Sequence, residues 1–350
     1  MNAPDPLAFR LTSFSHGGGC GCKIAPGVLQ EILGKSSAPV PAALLVGTET
    51  SDDAAVYRLN DTQAIVATTD FFMPIVDDAH DFGAIAATNA ISDVYAMGGT
   101  PLFALALVGM PVNAIPVSVI RDILAGGESV CARAGIPIAG GHTIDSVEPI
   151  YGLVAIGLHP DNVKRNAGAR PGDRLVLGKP LGVGVYSAAL KKEQLAQDDY
   201  RTMIESATKL NTPGVALAAL PFVHAMTDVT GFGLLGHLAE MTGGSKVRAR
   251  LHAARIPLLP EVVALAQAGL IPGGTRRNLH AVEGTVRWDP SIPEPLRFVI
   301  GDAQTSGGLL VATPDGPALV RALEAAGVEG AAQIGEIVAE DSEGTIEVGP

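Results

Sequence analysis

Acidic side chains without basic partners are the first feature of this sequence that indicates chemistry. The stretch between Arg58 and Arg121 contains six aspartates and no Lys or Arg. Asp228 lies in a second stretch without Lys or Arg, between positions 209 and 246. A buried carboxylate must find a partner or take up a proton. Because Mg²⁺ prefers oxygen ligands and joins carboxylates to substrate phosphates, the pattern predicts a divalent-metal site.

The surroundings of each aspartate separate the candidates. Asp93 lies inside a helical pattern of small apolar residues, and Asp228 lies in a similarly apolar stretch. Asp70 ends a predicted strand. Asp52 and Asp53 fit either an ordinary turn or a metal or nucleotide site. The other aspartates of the first stretch are expected in a turn and on a solvated loop: Asp61, and Asp77, Asp78 and Asp81.

Two glycine-rich loops could approach a phosphate group. The first reads Ser-His-Gly-Gly-Gly-Cys-Gly-Cys-Lys over residues 15–23, and the second is Gly140-Gly141-His142-Thr143 after a predicted strand. Glycines let backbone N–H groups come close to phosphate oxygens. The first loop is not a Walker A loop, since Lys23 follows Cys22 and precedes Ile24. For the second loop a plain tight turn remains an alternative.

The cysteines next to the first loop offer a second kind of chemistry. A thiol near Lys23 has a lowered pKa if the ammonium group stabilises the thiolate, and Cys20 or Cys22 would then be a nucleophile. The same pair is only part of a soft-metal site, because two ligands do not complete one. His16 could polarise a substrate or be an ordinary turn residue. Cys131 lies on the apolar side of a predicted helix and is expected in the core.

Two domains of α+β type must position these residues. Residues 1–48 form a glycine-rich lead segment that we expect to be mobile, with a helical pattern over 26–33 and a linker over 36–41. Strands and helices then follow in the order ββαβαββ, which predicts a mixed sheet with helices on one face. Residues 165–173 are rich in Gly and charged residues and mark a boundary. The second half alternates strands and helices without an exact short repeat.

Composition excludes several classes of function. The chain has 350 residues, enough for two domains, and a formal net charge of -12. An acidic chain does not attract nucleic acid or anionic membranes. The charge-free stretch between Asp93 and Arg121 is long enough to span a membrane, but its Pro and Gly residues leave only a buried strand over 102–108. With no secretory signal at Met1 and three cysteines, a cytoplasmic location is expected.

The motifs together resemble selenophosphate synthetase (selenide, water dikinase) over roughly residues 11 to 340. The specific motif is Cys-Gly-Cys-Lys at residues 20–23. The acidic motifs are shared more loosely with the aminoimidazole-ribonucleotide-synthetase-like superfamily. The matching segments are residues 15–26, 52–57, 68–72, 87–93, 139–145, 225–233, 272–275 and 304–309.

The resemblance implies a reaction and a division of the chain. ATP, selenide and water would give selenophosphate, AMP and orthophosphate with Mg²⁺, and the product would supply selenium for selenocysteine and selenouridine synthesis. Residues 1–48 would be a mobile catalytic segment, 49–160 an N-terminal domain that binds ATP and Mg²⁺, and 161–350 a C-terminal α+β domain. A homodimer with nucleotide sites at the N-terminal domains is expected, together with a selenium-delivery protein and a monovalent cation such as K⁺.

The resemblance also assigns residues to roles. Cys20 occupies the position of the catalytic Cys or selenocysteine, and Lys23 that of the catalytic lysine. Metal ligands fall on Asp53, Asp93 and Asp228. Nucleotide contacts fall on the following residues: Lys23, Thr50, Ser51, Asp52, Asp70, Asp93, Gly141, His142 and Thr143. Whether Cys20 carries selenium as a perselenide or only orients hydroselenide is left open.

Two departures and two rival interpretations accompany this assignment. Ala303 replaces a Pro that the family often has after the acid at 302, and Cys rather than selenocysteine occupies position 20. A kinase or ligase of the same superfamily would keep the aspartates, release ADP and have no use for Cys20 and Lys23. A selenium or metal carrier would use Cys20 and Cys22 without ATP and leave the acidic motifs unexplained.

Overall fold

The computed structural model describes residues 10–24, 28, 31–32, 40–47, 52–160 and 163–350. The helical pattern predicted over 26–33 and the linker over 36–41 lie mostly outside these residues. Thr50 and Ser51 also lie outside them.

One mixed sheet with two helices forms the N-terminal domain within the described residues. Its elements are β1 (Leu44–Val46), β2 (Ala55–Asn60), β3 (Gln63–Phe72), α1 (Ala79–Ala96), β4 (Thr100–Met110), α2 (Val117–Arg133), β5 (Ile138–Asp145) and β6 (Ile150–Pro160). The strand order is β1-β2-β3-β6-β4-β5, and only β4 and β5 are parallel. The predicted ββαβαββ order is confirmed, and the charge-free stretch contains strand β4. The prediction of a fully buried strand is wrong, because β4 is buried on one face and exposes Leu102 on the other.

The apolar pattern predicts a helix over residues 83–97, whereas helix α1 begins four residues earlier, at Ala79. Its N-cap is Asp78, whose side chain accepts a hydrogen bond from the N–H of Asp81. Asp81 itself accepts from the hydroxyl of Tyr200 at 2.6 Å. Asp77 accepts from the hydroxyl of Thr12 at 2.6 Å. The prediction of a solvated loop is therefore confirmed for Asp78, which is exposed in the loop before α1. It is wrong for Asp77, which lies in the same loop but is partly buried, and for Asp81, which lies within α1.

A seven-stranded sheet with surrounding helices forms the C-terminal domain. Its strands are β7 (Arg174–Leu177), β8 (Ala225–Asp228), β9 (Val247–His252), β10 (Val286–Trp288), β11 (Leu309–Thr313), β12 (Ala332–Glu340) and β13 (Ile346–Gly349), in the order β10-β13-β9-β12-β7-β11-β8. The helices are α3 (Val183–Lys191), α4 (Gln197–Ala207), α5 (Pro213–Ala218), α6 (Gly233–Ser245), α7 (Val262–Gln267), α8 (Gly273–Ala281), α9 (Glu294–Ile300) and α10 (Gly316–Ala325). The predicted two-domain α+β fold is confirmed.

Helix α1 lies between the two domains. One side packs on β3 and β6, and the other side contacts β8 and α5 of the C-terminal domain. Every residue from Phe82 to Ala96 is buried as a result. In the described part of the chain no helix has the length and apolar character needed to span a membrane.

Candidate active site

The predicted carboxylates meet where α1 faces β8, at the interface of the two domains. Asp93 comes from α1, Asp228 from the end of β8, and Asp53 from the turn before β2. The hydroxyl of Thr227 donates to Asp53 Oδ1 at 2.8 Å, which connects the first domain to the second. The hydroxyl of Thr68 on β3 donates to Asp93 Oδ2 at 2.5 Å. One strand, one turn and one helix therefore bring three distant aspartates into one region.

Burial and like charge act together on these carboxylates. Burial raises the pKa of Asp53, and the charges of Asp228 and Asp93 raise it further. Burial also raises the pKa of Asp93, with Asp228 and then Asp70 adding to the effect. The pKa of Asp228 is raised by burial and lowered in part by its hydrogen bond from Ser92. A cation placed among these groups would remove the repulsion that favours their protonated forms.

The donor set fits a divalent metal ion. Asp53 Oδ2 is buried and makes no hydrogen bond within the described structure. Such an orphaned oxygen costs free energy unless a cation or proton occupies it. Among the described residues no three His, Cys, Asp or Glu side chains already surround a common point as a metal centre. The carboxylates therefore form an oxygen-rich region suited to Mg²⁺ with substrate phosphates rather than a complete protein cage.

Cys20 is buried against the same helix. It is 1% exposed, and its Sγ donates to Asn89 Oδ1 at 3.2 Å. Asn89 Oδ1 also accepts from the N–H of Ser306 at 2.7 Å, and its Nδ2 donates to Asp70 Oδ2 at 2.7 Å. Burial raises the pKa of the Cys20 thiol, and the Asp70 charge raises it further. The lowered pKa expected from the nearby lysine is therefore wrong for this arrangement, in which Cys20 is a thiol that donates.

Lys23 lies beside Asp70 at the open side of the site. Its Nζ is 3.6 Å from Asp70 Oδ2, and its side chain is 38% exposed. The charge of Asp70 raises the pKa of the ammonium group against the opposing effect of burial. Lys23 therefore stays protonated and brings a positive charge to an otherwise acidic region. For Cys22, burial raises the pKa, and its Sγ donates to the carbonyl of Gly18 at 3.4 Å.

The glycine-rich segment is held between the domains over its described residues 10–24. The N–H of Gly19 donates to the carbonyl of Met73 at 2.9 Å on the N-terminal side. On the C-terminal side the N–H of Cys20 donates to Thr305 Oγ1 at 3.2 Å, and Arg277 donates to the carbonyl of Gly21 at 2.9 Å. Gly19 has a φ of +59°, and a Cβ there would lie 2.4 Å from Thr305 Oγ1. Only glycine fits this position, which explains one residue of the loop.

Some predicted nucleotide contacts lie away from this cluster. Asp52 Oδ1 accepts from the backbone N–H of Asn166 at 2.8 Å and connects the start of β2 to the interdomain segment. Residues 141–143 lie on the edge strand β5 and are exposed, so the prediction of a loop or tight turn at residues 140–143 is wrong. Sheet register aligns Gly141 with Ala106, Leu153 and Asp70 on successive strands, so three strand spacings, about 14 Å, separate Gly141 from Asp70.

Several residues of the site were given no role from the sequence, although Lys179 was conspicuous as a basic residue. Asn89 and Ser92 are buried polar residues on α1, and the apolar context that drew attention to Asp93 would have identified both. The hydroxyl of Ser92 donates to Asp228 Oδ2. Lys179 is 4% exposed, and its Nζ donates to the carbonyls of Lys209 and Ser306, both at 2.7 Å. A lysine that supports loops through backbone carbonyls carries no local sequence signal.

Comparison with known proteins first defines the class. The family model for the N-terminal domain of AIR synthase related proteins matches residues 51–159, and the model for the C-terminal domain of these proteins matches residues 170–347. The solved structure of thiamine monophosphate kinase from Aquifex aeolicus has a TM-score of 0.64 at 15% identity, covering 92% of this chain and 94% of that one. The chain therefore has the AIR synthase related fold in both domains.

Curated relatives then define the family. Selenide, water dikinase from Burkholderia orbicola (strain MC0-3) is 63% identical over 337 residues, which are 95% of each chain. Selenide, water dikinase from Paraburkholderia xenovorans (strain LB400) is 60% identical over an alignment of 352 positions that covers 99% of each chain. The chain belongs to the selenide, water dikinase family.

Proposed function

We propose that this chain is an ATP-dependent enzyme that makes selenophosphate from selenide and water and releases AMP and orthophosphate. The product would be the selenium donor for selenocysteine and selenouridine synthesis. The observation that carries this proposal is the placement of Cys20 and Lys23 against the buried carboxylates, on a chain about 60% identical to selenide, water dikinases over nearly its whole length. The same observation disfavours a kinase or ligase of the superfamily, which would not need this cysteine and lysine.

Asp53, Asp93 and Asp228 are the residues that would hold Mg²⁺. The ion would neutralise the phosphates of ATP next to an acidic surface and stabilise charge on the transferred group. Asp70 and Lys23 would orient the nucleotide phosphates, and the Lys23 ammonium would stabilise negative charge on the transferred or leaving phosphate. A monovalent cation such as K⁺ is a further proposed requirement.

Cys20 would meet the selenium substrate. Its thiol hydrogen already points at the amide oxygen of Asn89, so the sulfur is held in one orientation. The segment over residues 15–23 holds Cys20 at 1% exposure, which would protect the first transfer from water. Water must then enter for the second cleavage, so we propose that this segment opens between the two steps. The division at residues 1–48, 49–160 and 161–350 describes these roles and stays a prediction.

Selenide-dependent formation of AMP tests the assigned roles. Under anaerobic conditions the enzyme should convert ATP to AMP with selenide present. Lys23→Met and Asp228→Asn should each reduce that rate by at least about 100-fold because each removes a charge beside the transferred phosphate. Val147→Ala, at an exposed position outside the site, is the matched control and should keep the rate. Stable accumulation of ADP by the unchanged protein would contradict the proposal.

A homodimer is proposed through the helix-free face of the N-terminal sheet. Tyr57, Phe71 and Ile144 on this face are 45%, 52% and 55% exposed. A hollow of about 230 Å³ lies among Phe71, Leu107, Val108, Gly109, His142, Ile144 and Ile150. Apolar area of this kind is typical of a protein interface. His142 belongs to the same surface, so residues 141–143 would reach a nucleotide at the dimer interface rather than within one chain.

Sedimentation of surface variants tests the dimer. Phe71→Asp combined with Ile144→Asp should convert the dimer into a monomer, because two carboxylates would be buried without partners. Phe222→Asp is the control, since Phe222 is 39% exposed on the C-terminal domain. A double variant that sediments like the unchanged protein would contradict this interface. A selenium-delivery protein and a cytoplasmic location stay predictions.

A further inference from the structure

Three side chains form a hydrogen-bonded row across the domain interface beside the proposed metal site. Asn211 Nδ2 donates to Ser92 Oγ at 2.7 Å, and the hydroxyl of Ser92 donates to Asp228 Oδ2. Ser92 belongs to α1 of the N-terminal domain, whereas Asn211 and Asp228 belong to the C-terminal domain. All three are buried, with exposures of 0% for Ser92, 1% for Asp228 and 5% for Asn211. Solvent therefore does not compete for these hydrogen bonds.

The donor and the acceptor in each hydrogen bond of this row follow from a further contact that Asn211 makes. Asn211 Nδ2 also donates to the carbonyl oxygen of Gly307 at 2.9 Å. A carbonyl oxygen only accepts, so the nitrogen of the amide must be the atom facing Gly307 and Ser92. An amide NH₂ only donates, so Ser92 Oγ receives one of its hydrogens. The single hydrogen of the Ser92 hydroxyl is then available for Asp228, which must accept it.

We infer that Ser92 and Asn211 are positioning residues that orient Asp228 for the metal ion. The row occupies Asp228 Oδ2 as an acceptor and fixes rotation of the carboxylate, so that Oδ1 has one defined direction. Asn211 acts through Ser92 and touches neither the proposed ion nor the substrates. Partners behind metal-binding carboxylates influence metal affinity strongly. This inference rests on the proposed metal site of Asp53, Asp93 and Asp228.

The row also makes metal binding depend on domain position. Asp228 is carried by β8, and its orienting hydroxyl is carried by α1 on the other side of the interface. Separation of the domains by one hydrogen-bond length would release Asp228 from Ser92. Asn211 reduces this freedom, because its two hydrogens join Ser92 of one domain to Gly307 of the other.

Mn²⁺ binding to the full chain, followed by the EPR signal of the free ion, tests the inference without measuring activity. Ser92→Ala should raise the dissociation constant for Mn²⁺ about tenfold or more. Asn211→Ala should raise it about threefold, since it removes one neutral hydrogen bond behind Ser92. The double variant should bind Mn²⁺ like Ser92→Ala alone, because Asn211 acts on Asp228 only through the Ser92 hydroxyl, which this variant lacks.

Control variants separate the possible failures. Asn278→Ala removes another amide whose Nδ2 donates to two carbonyls, those of Gly231 and Gly301, and it should leave Mn²⁺ affinity unchanged. Asp228→Asn should weaken Mn²⁺ binding more than Ser92→Ala does. If Asp228→Asn has no effect, the proposed metal site is overturned, and the inference with it. If Asp228→Asn weakens binding while Ser92→Ala does not, or if the two alanine effects multiply in the double variant, the inference alone is overturned.

Discussion

Helices α1 and α2 pack on the same face of the N-terminal sheet, yet the polar residues of α1 are buried and those of α2 face solvent. In α2 the buried residues are confined to one side, namely Ile123, Gly126, Gly127, Val130 and Cys131, and its charged residues face solvent. In α1 every residue from Phe82 to Ala96 is buried, including Asn89, Ser92 and Asp93. The C-terminal domain covers the side of α1 that would otherwise meet water.

This difference shows where polar residues are retained at a cost. A buried polar group loses its hydration and must find partners within the protein. Asn89 and Ser92 find them in Cys20, Asp70 and Asp228, all parts of the candidate site. The polar residues of α2 cost little, because they remain hydrated. We therefore expect substitutions in α1 to affect chemistry first, and substitutions on the outer face of α2 to affect almost nothing.

The largest effect is expected at Asp93. Asp93→Asn should reduce selenide-dependent AMP formation by about 1,000-fold, because it removes charge from the region that would hold the metal ion. The same variant should unfold at an unchanged or higher temperature, since burial and then the like charge of Asp228 raise the pKa of Asp93 and disfavour its ionised form. Anaerobic turnover and calorimetry check the two results. The contrast between α1 and α2 would be contradicted if the variant stays active, or if it loses activity only because it unfolds.

The contact between the two helices gives the next effect. A Cβ on Gly83 of α1 would lie 1.8 Å from the carbonyl oxygen of Ile123 on α2. Gly83→Ala should therefore reduce the free energy of unfolding by about 3 kcal/mol, because the helices must move apart. Gly243→Ala is the matched control, with no atom within 4 Å of the added methyl group. It should raise the free energy of unfolding by about 0.5 kcal/mol, as measured by urea titration.

Lys179 predicts a pH dependence of stability. Burial lowers the pKa of Lys179 to about 7 from its ordinary value of 10.5. Between these values the unfolded chain binds a proton that the folded chain does not. The free energy of unfolding should therefore rise with pH from 7 to 10, by up to about 1.4 kcal/mol per pH unit. Lys179→Met should remove this slope, and Lys192→Met on the surface should keep it. Equal slopes for both variants would contradict the prediction.

The smallest effect is expected on the outer face of α2. Arg121 and Asp122 are exposed. Replacing either with Ala should change the free energy of unfolding by less than about 0.5 kcal/mol and leave the rate of AMP formation unchanged. Urea titration and anaerobic turnover measure both. A loss of activity here would show that the contrast between the two helices is wrong.

Much of the fold follows from the sequence, and the failures have physical causes. Long apolar patterns predicted α1, α2 and β4, because burial of a whole face leaves a periodic record. Strands β8, β10 and β13 have only three or four residues, too few for a period, and their pairing is set by neighbours distant in the chain. Asp77 and Asp81 looked solvated because partners distant in the chain, Thr12 and Tyr200, leave no local pattern.

The residues of the candidate site also fall into two groups, those with a local sequence signal and those without one. Asp93 and Asp228 stood out because each lacked a basic neighbour in sequence, whereas Asp53 was assigned as a metal ligand through the family resemblance. Ser92 and Asn211 did not stand out, and Lys179 stood out only as a basic residue without a role, since the importance of all three depends on which atoms the two domains bring together. The low pKa expected for Cys20 failed because burial outweighs the single charge of Lys23. Charge patterns can be read from a sequence, whereas desolvation requires the fold.

Anaerobic ³¹P NMR with ATP, Mg²⁺ and selenide tests the central claim most directly. The unchanged protein should produce a selenophosphate resonance together with AMP and orthophosphate, and Cys20→Ser should lose the selenophosphate resonance while remaining folded. ADP as the stable end product, or ATP turnover that needs no selenide and is unaffected by Cys20→Ser, would contradict the account and favour a different kinase of the same fold.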